Sequence, residues 1–274
     1  MIVFPNCKIN LGLTITRKRE DGFHDLETVF YPIAIKDALE ITQQPDANTP
    51  TTFTQSGITI EGNADDNLCL KAYHLLKKDF PHLPNIQLHL HKVIPMGAGL
   101  GGGSSDGAFT LKLLNQKFQL GLSVEQLIDY ALQLGSDCPF FIINQPCFAT
   151  GRGEFLQKIT IDLSAYRFVI VNPGIHVNTG WAFSQLQLKP VSDILKMSDT
   201  LLQPVESWKD VLINDFEKPV FEKHPEIKNI KDKLYEAGAV YASMSGSGST
   251  VYGLFTAKPM LENSFPAHYF VKQL

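Results

Sequence analysis

Apolar and polar residues alternate from Lys8 to Thr16, a stretch rich in Ile and Leu, which predicts a strand. Glu27 to Ile35 and Ala38 to Thr42 predict further strands, and the polar run from Pro45 to Thr54, with two prolines, predicts a loop or hairpin end. From Asn67 to Phe80, Leu68, Ala72, Leu75 and Leu76 fall at helical spacing, and Pro81 and Pro84 close that amphipathic helix. Ile86, Leu88 and Leu90 then alternate with Gln87, His89 and His91, the pattern of a strand with one face buried, stopped by Pro95. Ser104 to Phe118 returns to helical spacing through Ala108, Leu111 and Leu114. Ser123 and Gln126 make a capping box for a helix reaching about Leu134, Gly135 ends it, and Ser136-Asp137 can cap the next one.

Further on, Arg167 to Val171 predicts a buried strand, and Val205 to Leu212 and Pro225 to Ala237 predict helices. Val240 to Met244 and Thr250 to Phe255 predict strands on either side of a second Gly/Ser loop. Strands and helices mix without strict β-α-β alternation, so the expected class is α+β. Gly151 and Gly153 mark a soft boundary, giving an expected division into residues 1–155 and 156–274.

The net charge of −4 and the lack of a basic stretch argue against a nucleic-acid partner and favour a small diffusible substrate. No apolar run reaches the roughly 18 residues of a membrane span, and Met1-Ile2-Val3-Phe4-Pro5-Asn6 does not read as a signal peptide. Cys7, Cys69, Cys138 and Cys147 sit at neither metal nor redox-motif spacing, so reduced thiols in a cytoplasmic protein are expected. His89 and His91 share one face of their strand, which reads as solvated rather than metal-binding.

The chemistry is concentrated in Pro95-Met96-Gly97-Ala98-Gly99-Leu100-Gly101-Gly102-Gly103-Ser104-Ser105, set between a predicted strand and a predicted helix. Glycines let the backbone reach positive φ and bring successive N–H groups into one concavity, and the helix N-terminus adds unpaired donors. That is a phosphate cradle. It fits the spacing Gly-x-Gly-x-x-Gly of a dinucleotide fingerprint, but the region about 20 residues on (Gly121-Leu122-Ser123) is a turn, where an acid ending a second strand is required. Gly103 is followed by Ser104 instead of lysine, so a Walker-type loop is excluded, and the His-Arg-Asp and Asp-Phe-Gly strings of protein kinases are absent.

The loop instead resembles the central motif of the GHMP kinases, the galactokinase, homoserine, mevalonate and phosphomevalonate kinase group. Pro5-Asn6-Cys7-Lys8-Ile9-Asn10-Leu11 is similar to the N-terminal motif of that family, and Ser243-Met244-Ser245-Gly246-Ser247-Gly248-Ser249-Thr250 to its C-terminal glycine motif. Arg19-Glu20-Asp21-Gly22-Phe23-His24, Asp66-Asn67-Leu68 and Leu134-Gly135-Ser136-Asp137-Cys138-Pro139-Phe140 resemble the branch acting on a cytidine diphosphate-linked methylerythritol.

The resemblance implies a two-domain α+β fold with mixed and antiparallel sheets flanked by helices, and an active site in the cleft between domains. It implies transfer of phosphate from ATP, with Mg²⁺, to an alcohol of a small molecule by a monomer or weak homodimer. A homoserine- or mevalonate-type kinase and a non-catalytic nucleotide binder stay open as alternatives. Position alone leaves Asp137 either a helix cap or a site carboxylate; the resemblance makes it the general base. Lys8, in an apolar strand, needs an anionic partner or an exit to water, and Asp137 and the reacting oxygen are the expected partners. Asn10 shares the Lys8 face by the period of two and is expected to bind substrate or orient the lysine. Residues 95–105 are expected to hold ATP, with Asn67 and Lys92 toward adenine or phosphates and the Ser105 hydroxyl toward Mg²⁺. Phe23 (where the family often has tyrosine), His24 and Phe183 are expected at the cytosine, Thr179 in the substrate site, and Ser245, Gly246, Ser247 and Gly248 at the substrate phosphates.

Overall fold

The strands of the computed structural model are β1 (Ile2–Val3), β2 (Asn6–Lys18), β3 (His24–Lys36), β4 (Ala38–Gln43), β5 (Thr52–Gly57), β6 (Ile86–Lys92), β7 (Cys147–Thr150), β8 (Phe155–Lys158), β9 (Arg167–Asn172), β10 (Tyr241–Met244), β11 (Val251–Phe255) and β12 (Phe270–Gln273). The structure describes residues 1–60, 62–186, 197–262 and 264–274. Its helices are α1 (Leu68–Asp79), α2 (Gly102–Phe118), α3 (Val124–Leu134), α4 (Cys138–Ile143), α5 (Thr179–Ser184), α6 (Met197–Leu201), α7 (Glu217–Lys223) and α8 (Pro225–Glu236). The strands form sheets of order β1-β4-β6-β5, β2-β3-β7-β8 and β10-β11-β9-β12. The first is mixed, because β5 runs parallel to β6 while β4 runs antiparallel to it; the third is antiparallel throughout. The α+β class is as expected.

Two compact units result. One comprises Met1–Lys8, Pro32–Met96 and Gly101–Gln145; the other comprises Ile9–Tyr31, Gly97–Leu100 and Pro146–Leu274. They do not succeed one another along the chain: β2, β3 and the glycine-rich loop each contribute to both.

In the first unit α2 packs on α1, α3 and α4. Its spacing buries Ala108, Leu111 and Leu114, and Ser123 and Gln126 form the expected reciprocal capping box at the start of α3. β6 alternates as its sequence implies: Ile86, Leu88 and Leu90 are buried, while His89 and His91 meet Ser56 on the outer face. In the second unit Leu13 and Ile15 of β2 join Val169, Val171, Ala242, Met244, Val251 and Phe255 of the antiparallel sheet. Ile227, Ile230 and Leu234 of α8 complete that core.

Some elements differ from expectation. The expected loop ends early: Thr52 to Gly57 forms β5, held by parallel pairing to β6 and not by an apolar face of its own. The soft boundary holds the β7–β8 hairpin, whose turn uses Gly151 at φ +68°. The helix expected from Val205 is a 3₁₀ turn, Val205–Asp210. Among the described residues no helix is long and apolar enough to cross a membrane.

Candidate active site

The first unit places a charged pair beside the start of α2. Gly101, at φ +68°, turns the chain into α2 without a side-chain cap, leaving the first-turn N–H groups without capping oxygens. Such a helix start binds anions through its amides and dipole. A Cβ on Gly101 would stand 3.0 Å from Phe141 Cζ and 3.2 Å from Lys8 Cε, so the lysine stem runs directly against this turn. Lys8 Nζ lies 3.5 Å from Asp137 Oδ2; the lysine is buried, while the Asp137 side chain is 34% exposed. Asp137 precedes α4 but makes no capping hydrogen bond to it. Its carboxylate therefore faces Lys8 and solvent, and the cap alternative has no contact in its support.

Lys92 requires a correction. It was expected to reach the nucleotide, but its ammonium is fully buried, bonded to Asp37 and, at 2.8 Å, to Asp106 Oδ2. The reason is register. Residue 92 continues the inward face of Ile86, Leu88 and Leu90, and only an anionic partner makes a buried ammonium tolerable. Burial would lower the Lys92 pKa, but the two carboxylates outweigh it and raise it. Asp106 is pushed up to about 8, by burial first and by the neighbouring Asp37 charge, against the pull of Lys92. Asn67 caps α1, its Oδ1 accepting from Cys69 N at 2.9 Å. Ser105 Oγ is buried without a hydrogen-bond partner, the kind of orphaned oxygen that a phosphate or metal partner satisfies.

The second unit contains the other loops. Gly97 and Gly99 sit at φ +60° and +77°. Ser245 Oγ donates to Gly99 O at 2.8 Å, and Thr250 N donates to Ala98 O at 3.2 Å. Residues 97–100 and the loop 245–250 are thus packed together. Asn10 joins them: its N–H donates to Ser245 Oγ at 3.1 Å and its Nδ2 to Thr28 Oγ1 at 3.0 Å. Asn214, which the sequence did not single out, donates to Met244 O at 2.7 Å and Gly246 O at 2.8 Å and so braces the same loop. Glu217 holds β10 by accepting from Met244 N at 2.8 Å. Thr179 Oγ1 and Ser247 Oγ are 2.9 Å apart.

The turn between β2 and β3 carries Phe23 and His24. Asp21 accepts from Phe23 N at 3.1 Å and is paired with Arg19. Phe23 is 49% exposed with the Arg152 guanidinium 3.8 Å above its ring. His24 stacks on Phe183 at 4.8 Å, and Phe183 meets the edge of Phe216 at 4.9 Å. The two rings expected to flank a base therefore each have a neighbour of their own. Partial burial, then Lys18, hold His24 below its usual pKa, so its imidazole is neutral at pH 7 with one donor and one acceptor nitrogen.

The cysteines are all buried. Burial pushes the Cys7 and Cys138 thiols up to about 12 and Cys147 to about 11, and raises Cys69 further. These thiols stay protonated at neutral pH. Iodoacetamide at pH 7.5 is expected to modify the native chain at least about a hundredfold more slowly than the denatured chain. Quantitative labelling of any of the four at the denatured rate would contradict their burial. Among the described residues no three His, Cys, Asp or Glu side chains converge as metal ligands.

A helix start left without a side-chain cap after a glycine-rich run, an ion-paired carboxylate beside it and an α+β fold with two glycine loops together suit a phosphotransferase. The chain belongs to the GHMP kinases: residues 67–151 match the model of the GHMP kinase N-terminal domain and residues 201–263 that of the GHMP kinase C-terminal domain. It is 55% identical over 255 residues to the 4-diphosphocytidyl-2-C-methyl-D-erythritol kinase of Bacteroides thetaiotaomicron, covering 93% of this chain and 92% of that protein. The same-named protein of Azobacteroides pseudotrichonymphae is 49% identical, covering 99% of this chain and 100% of its own. A crystal structure of 4-(cytidine 5'-diphospho)-2C-methyl-D-erythritol kinase superposes with a TM-score of 0.74 at 30% identity, covering 93% of this chain and 90% of that one.

Proposed function

We propose that this chain is the ATP-dependent kinase that phosphorylates the tertiary 2-hydroxyl of 4-diphosphocytidyl-2-C-methyl-D-erythritol, a step toward isoprenoid precursors. The observation that carries the chemistry is the Lys8–Asp137 pair set against the uncapped start of α2. Asp137 accepts the hydroxyl proton, the alcohol oxygen bonds to the γ-phosphorus, and the bond to the β-phosphate oxygen breaks, releasing ADP. Lys8 orients the carboxylate and offsets charge on the reacting oxygens. The amides of Gly102 to Ser104 hold the phosphates without reorganising at the moment of reaction, while the Ser105 amide already donates to Gly101 O within the helix. Mg²⁺ needs few protein ligands when phosphates supply the rest, and the orphaned Ser105 hydroxyl suits that place; bound there, the ion would neutralise phosphate charge.

In the second unit, Phe23 offers an open aromatic face and neutral His24 a donor and an acceptor to the edge of a cytosine. Phe183 backs the histidine. Thr179 and the loop from Ser245 to Gly248 suit the diphosphate. A phenylalanine where relatives often carry tyrosine keeps the stacking and forgoes the hydroxyl. Phe23→Ala is expected to raise KM for the cytidyl substrate about tenfold to a hundredfold, the loss of one base–aromatic stack, with KM for ATP unchanged. An unaltered KM for the cytidyl substrate would remove Phe23 from that role. The reaction itself is tested by offering the cytidyl substrate, homoserine and mevalonate with labelled ATP. Turnover of mevalonate or homoserine in preference to the cytidyl alcohol would overturn the assignment.

A further inference from the structure

The buried cluster of Lys92, Asp37 and Asp106 lies outside the chemistry described above, yet it joins the elements that form the phosphate end of α2. Asp37, between β3 and β4, is 1% exposed and accepts through one oxygen from Val93 N at 2.6 Å and Ile94 N at 2.9 Å, just after β6. Its other oxygen meets Lys92. Lys92 reaches on to Asp106, in the second turn of α2. The ammonium also lies beneath the first residue of that helix, 3.1 Å from where a Cβ of Gly102 would be. The connection thus runs from the exit of β6 through three ionisable side chains to the start of α2.

Stability does not explain this arrangement. Buried ion clusters are commonly matched or exceeded in stability by apolar residues of the same volume. Asp106 Oδ1 is moreover left without a hydrogen-bond partner, a cost that an apolar core would not bear. What such a cluster does supply is direction. An apolar contact tolerates a slide of a few tenths of an ångström, whereas a lysine bonded to two carboxylates fixes where the strand ends and where the helix begins.

We propose that Lys92, Asp37 and Asp106 are positioning residues that lock the exit of β6 to the first turns of α2, so that the α2 amides converge on the nucleotide's phosphates. Lys92 thereby serves phosphate binding without touching the nucleotide. The inference rests on the reading of α2 as the phosphate cradle. It extends that reading to three buried residues packed against the start of the helix.

Calorimetric titration of ATP and of adenosine, with thermal melts as a check of folding, tests it. Asp106→Ala is expected to weaken ATP binding about tenfold or more, as displaced supports do, while adenosine affinity stays within about twofold. Asp106→Asn keeps an oxygen for Lys92 and should restore ATP affinity to near that of the parent; Lys92→Met should behave like Asp106→Ala. An equal loss of ATP and adenosine, or no loss of either, overturns the proposal. Hydrogen exchange on the unmodified chain needs no variant: ATP, and not adenosine, should slow exchange at Val93 and Ile94, and unchanged exchange there also overturns it. If the parent chain itself binds ATP no more tightly than adenosine, the phosphate cradle fails and this inference with it. A tighter ATP complex that is indifferent to Asp106 removes the inference alone.

Discussion

Asp137→Asn is expected to lower kcat about a thousandfold while ATP affinity and the melting temperature stay close to those of the parent. The substitution keeps the shape of the side chain and removes its capacity to take a proton. A positioned base contributes roughly 10²–10⁴ in rate, and the reacting alcohol has no useful acidity of its own at neutral pH. The fold has little reason to respond. Asp137 makes no capping bond to α4, and its side chain is 34% exposed, so the partner it deserts is Lys8. Single-turnover measurement with a saturating cytidyl substrate, beside ATP titration, separates the outcomes. A kcat within threefold of the parent would take Asp137 out of proton transfer. A collapse of the melting transition would make the pair structural instead.

Gly99→Ala carries the second large expectation. At φ +77° an alanine costs about 1–2 kcal/mol, and its Cβ would stand 2.0 Å from Ser245 O, a backbone atom that cannot step aside. The two loops of the second unit would have to separate, breaking the bonds from Ser245 Oγ to Gly99 O and from Thr250 N to Ala98 O. A loss of at least about 3 kcal/mol follows, and for a chain of this size that is a fall in Tm of roughly 6–12 °C. Gly103→Ala is the informative comparison. Nothing lies within 4 Å of a Cβ at Gly103, and the position is helical. Alanine there should leave Tm unchanged or slightly raised, since it favours helix by about 0.8–1 kcal/mol, while its methyl crowds the amides offered to phosphate and raises KM for ATP. If Gly99→Ala melts and binds like the parent, the contact between the loops has no energetic weight. If Gly103→Ala binds ATP normally, the cradle lies elsewhere.

What was legible in the sequence was local. The capping box at Ser123 and Gln126, the alternation of β6 and the apolar face of α2 each lie within a few residues, and each folds as its letters imply. Lys8 could be singled out because a lone charge inside an apolar strand demands a partner, and that partner is Asp137. Lys92 was readable by the same reasoning, had the period of two been carried one residue past His91. The alternation that buries Ile86, Leu88 and Leu90 buries residue 92 as well. Asp37 gave no such signal. It stands between two strands, and its value depends on the Val93 and Ile94 amides, 56 and 57 residues away. Asn214 and Glu217 were equally silent, since their partners lie about 30 residues on in β10 and the loop after it. Strand β5 has no apolar rhythm, and only pairing with β6 makes it a strand.

The chain's repeated crossings between its compact units bear on how it is made. Leu13 and Ile15 belong to a core that draws its other strands from β9 to β11 and its helices from α5, α7 and α8. A ribosome delivers these parts in order, so the first of them must wait for more than two hundred residues of further synthesis. During that interval a nascent polypeptide holds greasy side chains with no permanent home, a period in which aggregation competes with folding. Fragment expression inherits the same difficulty: a piece starting near residue 156 lacks the segment Ile9–Tyr31 that completes its interior. Such a piece should become soluble and cooperative only when the missing stretch is supplied alongside it.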